Sequence, residues 1–300
     1  MIKNYLQLFR VPQWIKNLFV FVPLLFSLHM FEENYFVNTL VAFLIFCLAS
    51  SLIYIINDIV DIEADALHPK KKLRPLPSGK ISKKSAIISA SLLFVFIIIL
   101  LIITNTHFIL ITLSFIILNI LYSFYFKHIV LLDVFSIAAG FTIRVLGGAY
   151  IIDVPVSSWL ILTTMFISLF LGVMKRHSEL EQVSENQTGS TRKVLAEYTL
   201  TFTNQIATVA AAGVIICYAL YSVSQRTVSV FGTENLIYTT PFVVFGIFRF
   251  MYLEYLNQKG ENTTQVMLTD IPMIVTVVLY VVTTVLIIYI QYNCNNPGIS

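Results

Sequence analysis

Apolar residues fill this chain in long runs separated by short polar segments. We distinguish nine runs, at about residues 17–31, 36–56, 85–104, 107–126, 131–152, 157–174, 199–223, 236–256 and 271–292. Most have about the 20 residues that an α-helix needs to cross the hydrocarbon core of a bilayer. The first run is short, and Pro23 interrupts it. The pattern predicts an all-α, polytopic integral membrane protein with nine transmembrane helices.

The composition agrees with a membrane protein. Hydrophobic residues make up 57% of the 300 residues and charged residues 12%, and the mean hydropathy is +0.83. A soluble domain contains far more charged residues. The net charge is only +3, which is compatible with attraction to anionic lipid and gives no sign of a nucleic-acid partner.

The basic residues are distributed unevenly between the segments that join the apolar runs. Sixteen of the 19 Lys and Arg residues fall on one side of the predicted membrane, and only Arg226 falls on the other. Arg144 and Arg249 fall inside predicted helices. Because basic residues stay on the cytoplasmic side, we expect a cytoplasmic N-terminus, an outside C-terminus and a location in the cell (inner) membrane.

The long, charged connections all lie on this cytoplasmic side. The two longest of them span about residues 57–84 and 175–198, whereas the connections on the outer side are short. We therefore expect residues 1–300 to form a single transmembrane catalytic domain. The two loops are predicted to cap an active site at the inner face.

An acidic segment stands where the second apolar run ends. On a helical wheel Asn57, Asp61, Asp65 and Asp58 fall at about 0°, 40°, 80° and 100°, whereas Glu63 points away. Three carboxylates on one face repel one another, so a folded site there needs a cation. Hard oxygen ligands that leave room for phosphate oxygens favour Mg²⁺.

Basic residues accompany this acidic segment. Lys71 and Arg74 are followed by a turn rich in Pro and Gly that should fold them back toward the carboxylates, where they can neutralise phosphates. Lys16 and Asn17 lie where the first apolar run begins and can reach a phosphate near the membrane surface. The segment predicts a site for a metal and a diphosphate.

The second cytoplasmic loop begins with another basic face. Lys175, Glu179 and Arg176 fall at about 0°, 40° and 100° on a helical wheel. In the fifth apolar run, Asp133 and Arg144 share a helix face and should point into the bundle. Arg144 needs a partner, which is either a structural group such as a backbone carbonyl or a substrate phosphate, and both interpretations stay open.

These residues resemble the UbiA superfamily of intramembrane transferases. Its first motif, Asn-Asp-x-x-Asp-x-x-x-Asp, is complete at residues 57–65 and follows the second apolar run. The nine-helix count and the stretch from Tyr122 to Lys127 are also similar. The resemblance implies a UbiA-like bundle in which Mg²⁺-bound diphosphate is the leaving group and a lipid enters through a lateral opening.

The second loop departs from the prenyl-transferring members, which carry a second aspartate-rich motif there. This chain has Lys-Arg-His-Ser-Glu at residues 175–179, a pattern similar to the decaprenyl-phosphate phosphoribosyltransferase branch. That resemblance implies phosphoribosyl diphosphate as donor and a polyprenyl phosphate as acceptor. Short fragments that share it run over most of the chain, namely Gln13-Trp14-x-Lys16-Asn17, His68-Pro69-x-Lys71, Arg74-Pro75, Leu131-Leu132-Asp133, Arg144, Arg192 with Leu195 and Tyr198, and Leu268-Thr269-Asp270.

The residues and the resemblance together give the candidate site. We assign catalysis to Asp58, Asp61, Lys175 and Arg176. We assign the metal, Mg²⁺, to Asp58, Asp61 and Asp65. We assign substrate binding to Lys16, Asn17, Asn57, Lys71, Arg74, Tyr122, Lys127, Arg144 and Glu179.

Two other functions are compatible with the sequence. A UbiA-type prenyltransferase would move a prenyl group from a prenyl diphosphate to an aromatic or glycerol-phosphate acceptor, but it lacks its second aspartate motif here. A transporter would use Asp133, Arg144 and Arg249 as a pathway, which leaves the loop carboxylates unexplained. Oligomers are possible, because glycine faces serve packing within one bundle as readily as between subunits.

Overall fold

The described part of the chain is helical throughout. The computed structural model describes residues 2–67, 71–186, 193–257 and 269–295, and these residues contain no strand. Its α-helices are α1 Ile2–Leu8, α2 Val22–Leu25, α3 Glu33–Val60, α4 Ile62–Leu67, α5 Lys83–Ile102, α6 Thr106–Phe124, α7 Leu132–Ile151, α8 Ser158–Asn186, α9 Leu200–Val223, α10 Gln225–Phe231, α11 Thr240–Asn257 and α12 Ile271–Asn295. Its 3₁₀ helices are Val11–Phe21, Lys71–Leu73, Phe126–His128, Lys193–Glu197 and Asn235–Thr239.

Eight helices of the described chain are long and apolar enough to cross a membrane, and they correspond to the last eight predicted runs. The all-α membrane architecture is therefore confirmed. The first run differs, because Val11–Leu25 is a shorter apolar helix that is 3₁₀ up to Phe21 and α-helical from Val22. A 3₁₀ helix rises about 2 Å per residue, so these residues still extend roughly 28 Å, close to the hydrocarbon thickness.

Two neighbouring glycines of α7 allow close contacts, one with the 3₁₀ helix Val11–Phe21 and the other with α3. A Cβ added to Gly148 would lie 2.0 Å from the carbonyl oxygen of Val20, and one added to Gly147 would lie 2.6 Å from the ring of Phe46 on α3. Only hydrogen fits at either position. Gly148 therefore lets the backbones of α7 and the 3₁₀ helix approach closely, and Gly147 makes room for an aromatic ring of α3.

The helix α7 lies between the two largest apolar cores. Its residues Val134 and Ala138 belong to a core with α8, α9, α11 and α12, whereas Ile151 belongs to a core with α2, α3, α5 and α6. In α3 and α7, at least half of the residues in the apolar segment are buried. In α5 and α12, less than a quarter are buried. The two most enclosed helices are thus the ones that carry Asp58, Asp133 and Arg144.

We expect Gly148→Ala to lower the free energy of unfolding by about 2 kcal/mol or more, because a backbone atom cannot move aside as a side chain can. Gly246→Ala is the matched control, since a Cβ there meets nothing within 4 Å. Reversible unfolding of the two variants in mixed micelles measures the difference. Equal stability of both variants would contradict the close contact with Val20.

Candidate active site

Two of the three predicted metal ligands converge at the end of α3. Asp58 and Asp65 are both 2% exposed although they carry carboxylates. The chain bends between α3 and α4 at Asp61, yet helical hydrogen bonds continue through the bend, from Asp61 N–H to Asn57 O (2.9 Å) and from Asp65 N–H to Asp61 O (2.8 Å). The helical spacing of the motif is therefore kept through the bend. Asn57 itself is half-buried.

A guanidinium lies between these carboxylates. Nη1 of Arg74 is 3.2 Å from Oδ1 of Asp58 and 2.6 Å from Oδ2 of Asp65, and Nζ of Lys71 is 3.5 Å from Oδ1 of Asp65. The loop folds back because Gly79 has φ +73°.

An apolar cluster then holds this loop in place. Leu76 and Ile81 are buried in it beside Leu8 of α1 and Ile55 of α3. A hydrogen bond from Ile81 N–H to the carbonyl of Pro75 (3.0 Å) closes the turn. The packing therefore fixes the backbone from which Arg74 reaches the carboxylates.

Arg10 is a site residue that the sequence reasoning missed. Its Nη2 lies 2.5 Å from Oδ1 of Asp58, and its guanidinium stacks 4.4 Å from the ring centre of Tyr54. Arg10 has a left-handed backbone (φ +51°) just before the 3₁₀ helix. The only signal in the sequence is its place in the basic segment before the first apolar run, and nothing local connects it to an aspartate 48 residues away.

Asp61 lies apart from the other two carboxylates. Its side chain is 42% exposed, against 3% for those of Asp58 and Asp65, and among the described residues it pairs with Nζ of Lys127 at 3.9 Å. Within the described ranges, no group of three or more His, Cys, Asp or Glu side chains is placed to hold a metal. The predicted cluster of three acids is therefore a pair with a third acid at its edge.

This pair suits a magnesium ion. Mg²⁺ is usually held in proteins by one or two carboxylates and completes its octahedron with water and substrate phosphate. Asp58 and Asp65 already share one cationic atom, Nη1 of Arg74, so their oxygens face a common point. The two carboxylates therefore fit the predicted Mg²⁺. Asp61, at the edge of the pair, would face water molecules that the ion binds.

A second polar group lies deeper between α3, α7 and the 3₁₀ helix. Arg144 is 9% exposed, and its Nε donates to Oδ1 of Asn17 (2.6 Å) while its Nη1 donates to the carbonyl of Gly140 (2.9 Å). The ring of Phe115 lies 4.6 Å from the guanidinium. Lys16 is half-buried and close enough for its charge to interact with that of Arg144.

The partners of Arg144 are thus neutral oxygens and aromatic rings. In the part of the chain that the structure describes, no carboxylate pairs with Arg144. The hydrogen bonds of Arg144 therefore favour the interpretation in which its partners are structural groups. Its positive charge is left uncompensated by these neutral partners. A buried cation without a counterion attracts an anion strongly, because little solvent screens it.

A third group joins the start of α7 to the end of α8. Nε of Arg176, which is 1% exposed, donates to Oδ2 of Asp133 (2.7 Å), and its Nη1 pairs with Glu179. The hydroxyl of Tyr198 donates to Oδ1 of Asp133 (2.7 Å) and accepts from the N–H of Leu131 (2.9 Å). Burial, and then the carboxylate of Asp133, raises the pKa of Tyr198 above its ordinary value. The hydroxyl therefore stays protonated and keeps donating.

These contacts bear on the predicted roles of the second loop. The charge of Arg176 is matched by two carboxylates, whereas Lys175 is half-buried beside it. Tyr122 lies near enough to affect Arg176. Catalytic roles for Lys175 and Arg176 stay predictions, as do substrate contacts of Tyr122 and Glu179. Four residues of the recognised fragments lie outside the described residues, namely His68, Pro69, Arg192 and Leu268.

The sequence profile of the UbiA prenyltransferase family matches residues 18–269. The chain belongs to the UbiA prenyltransferase family. Among solved UbiA structures, a homolog from Archaeoglobus fulgidus bound to GPP and Mg²⁺ superposes with a TM-score of 0.68 over 95% of this chain and 99% of that one, at 17% identity. Digeranylgeranylglyceryl phosphate synthase gives 0.64 at 21% identity, with 95% and 98% covered.

Sequence relatives within the UbiA family are more specific. The decaprenyl-phosphate phosphoribosyltransferase of Mycolicibacterium smegmatis is 33% identical over 229 residues, which are 75% of this chain and 72% of the relative. The enzyme of the same name from Corynebacterium glutamicum is 31% identical over 241 residues, with 78% and 72% covered. Both alignments include most of the chain.

We expect Asp133→Ala to destabilise the protein by about 3 kcal/mol, because it removes one of two carboxylates from a buried guanidinium. Tyr198→Phe should cost roughly 1 kcal/mol, the value of the lost hydrogen bonds. Glu197→Ala, an exposed acid of the same loop, is the control. Unfolding in mixed micelles gives the three values, and an Asp133→Ala variant as stable as Glu197→Ala would show that the buried pair is not needed.

Proposed function

We propose that this chain transfers 5-phosphoribose from phosphoribosyl diphosphate to a polyprenyl phosphate of the decaprenyl type and releases diphosphate. The observation that carries the proposal is the extended similarity to two proteins that are named for this reaction, at 33% and 31% identity. The charge arrangement supports it, since an acidic pair and a separate cationic group are what a reaction between two phosphate-bearing substrates needs.

The leaving group is assigned to the acidic pair. Asp58 and Asp65 would hold Mg²⁺, with Asp61 at the edge, and the ion would neutralise the charge that develops on the departing diphosphate. Arg74 and Lys71 contact the same carboxylates, so their charges are in reach of the diphosphate oxygens. Their contribution is to orient the diphosphate and to stabilise its negative charge.

The second anion is assigned to the deeper cationic group. Arg144 lacks a carboxylate partner within the described residues, and Lys16 stands beside it. A phosphate bound there would satisfy both charges and would be held away from the diphosphate. The repulsion between the two reacting anions would then be offset by side chains that are already in place.

The transfer needs no general base from the protein. A phosphate monoester is largely dianionic near pH 7, since its second pKa is about 6. One of its oxygens forms the new bond to C1 of the ribose while the bond from C1 to the diphosphate oxygen breaks. The leaving diphosphate takes the electron pair, and C1 is inverted.

The membrane orientation follows from the basic loops. Sixteen of the 19 Lys and Arg residues lie in loops on the side of Asp58 and Arg74, so we place the N-terminus and the site at the cytoplasmic face of the cell membrane. The donor is water-soluble and would enter from that face. The acceptor would enter from the lipid.

A prenyltransferase is the second candidate, and it is favoured by the solved neighbours bound to GPP and DMAPP. Those neighbours are only 17% identical and support the fold alone. The basic segment at residues 175–179 argues against this candidate. Incubation with prenyl diphosphates and aromatic or glycerol-phosphate acceptors decides between them.

We expect Asp58→Asn and Asp65→Asn each to reduce transfer at least about 100-fold, since each removes a ligand charge from the ion that stabilises the leaving group. Transfer of radiolabelled phosphoribose to decaprenyl phosphate, with and without EDTA, provides the measurement. Glu63→Gln changes an exposed acid of the same segment and should keep full activity. Undiminished transfer by both aspartate variants would exclude the proposed metal role.

Arg144→Met should lower kcat/KM about 100-fold while leaving stability unchanged or higher, because it deletes a substrate contact and also an uncompensated buried charge. The matched control is Arg226→Met on the opposite face, for which normal activity is expected. Full activity of Arg144→Met, or a loss of stability without a kinetic defect, would assign Arg144 to structure alone.

A further inference from the structure

We propose that Arg10 and Arg74 stand in for the metal ion at the acidic pair, and that they transfer to the diphosphate when the ion binds. Divalent metal and diphosphate would then bind cooperatively, each weakly without the other. The inference deepens the proposed function and rests on it for the identity of the metal and the leaving group. It assigns Arg10 as a diphosphate-binding residue of the site.

The first argument is the position of Arg74. A single nitrogen, Nη1, contacts Oδ1 of Asp58 at 3.2 Å and Oδ2 of Asp65 at 2.6 Å. An ion bridging these carboxylates has to lie within about 2.1 Å of their oxygens. A metal ion held by these two oxygens would need the place that Nη1 of Arg74 occupies, so Arg74 would have to leave.

The second argument is that Arg10 shares the same acceptor. Its Nη2 lies 2.5 Å from Oδ1 of Asp58, the oxygen that Arg74 also contacts. Asp58 thus has two guanidinium partners before any ligand arrives. A metal ion that takes this oxygen displaces both of them.

The third argument is that Arg10 can move without unfolding its surroundings. The carbonyl of Phe9 accepts a hydrogen bond from Ser51 Oγ (2.8 Å), and Trp14 Nε1 donates to the same hydroxyl (3.0 Å). These contacts fix the backbone on both sides of Arg10. Its side chain is 24% exposed and stacks on Tyr54, so the guanidinium can swing while the chain stays in place.

The fourth argument is the balance of charge. The three basic side chains Arg10, Lys71 and Arg74 exceed the two acids by one positive charge. A divalent ion alone would raise this excess to three in a site whose carboxylates are almost fully buried, which is unfavourable. A diphosphate that arrives with the ion restores the balance and accepts the displaced arginines. The metal and the anion therefore each favour the binding of the other, by the same factor.

The test measures binding rather than turnover. The full chain in detergent is titrated with Mn²⁺, with free Mn²⁺ measured by electron paramagnetic resonance, and labelled inorganic pyrophosphate binding is measured with and without Mn²⁺. The variants are Arg10→Gln and Arg74→Gln. Lys80→Gln is the matched control, because it removes an exposed cation of the same loop.

We expect both arginine variants to bind Mn²⁺ alone about fivefold more tightly than the wild-type chain, since a competing cation is gone, and to bind pyrophosphate with Mn²⁺ at least about fivefold more weakly. Lys80→Gln should match the wild type in both measurements. Opposite changes in the two affinities separate exchange from a structural role, which would weaken both.

Unchanged or weaker Mn²⁺ binding by the folded variants would overturn the exchange. If Arg74→Gln does not fold, Arg10→Gln decides, because its backbone anchors stay intact. The outcome is separable from the proposed function. An exchange seen with pyrophosphate in a protein that transfers no phosphoribose would refute the donor and leave the role of Arg10 standing.

Discussion

Two almost fully buried carboxylates that must have cations beside them constrain most of the candidate active site. Asp58 and Asp65 lie where solvent cannot compensate their repulsion. Their basic partners come from distant segments, with Arg10 before the 3₁₀ helix and Arg74 in the loop after α4. The N-terminal segment and that loop thus both supply charges to the end of α3, in addition to their apolar packing there.

The helix α7 relates this acidic pair to the rest of the molecule. Gly148 brings the 3₁₀ helix against it, which places Asn17 beside Arg144. The start of the same helix fixes α8 through the pair of Asp133 and Arg176. The acidic pair at the end of α3 and the cationic group around Arg144 are therefore two distinct sites. A reaction between two anionic substrates can use that separation to hold them apart until they are aligned.

The second loop takes on a different meaning in the folded protein. Its basic residues suggested a replacement for the second aspartate motif of prenyl-transferring members. Arg176 is instead occupied by Asp133 and Glu179, so part of this replacement shapes the end of α8. Under the proposed function, the extra positive charge for a second phosphate then falls mainly to Lys16 and Arg144, which lack carboxylate partners within the described residues.

The sequence by itself determined the membrane architecture, the last eight spans and the position of the acidic motif, because hydrophobic runs and the spacing within a helix are local properties. The tertiary structure alone decided the partners of the charges. Arg10 meets Asp58 across 48 residues, and Asn17 meets Arg144 across 127. The tertiary structure also separated Asp61 from the other two acids, through a bend at the end of α3. Such pairings depend on which helix faces pack together. That packing is set by the shapes of many residues at once, and no local sequence pattern specifies it.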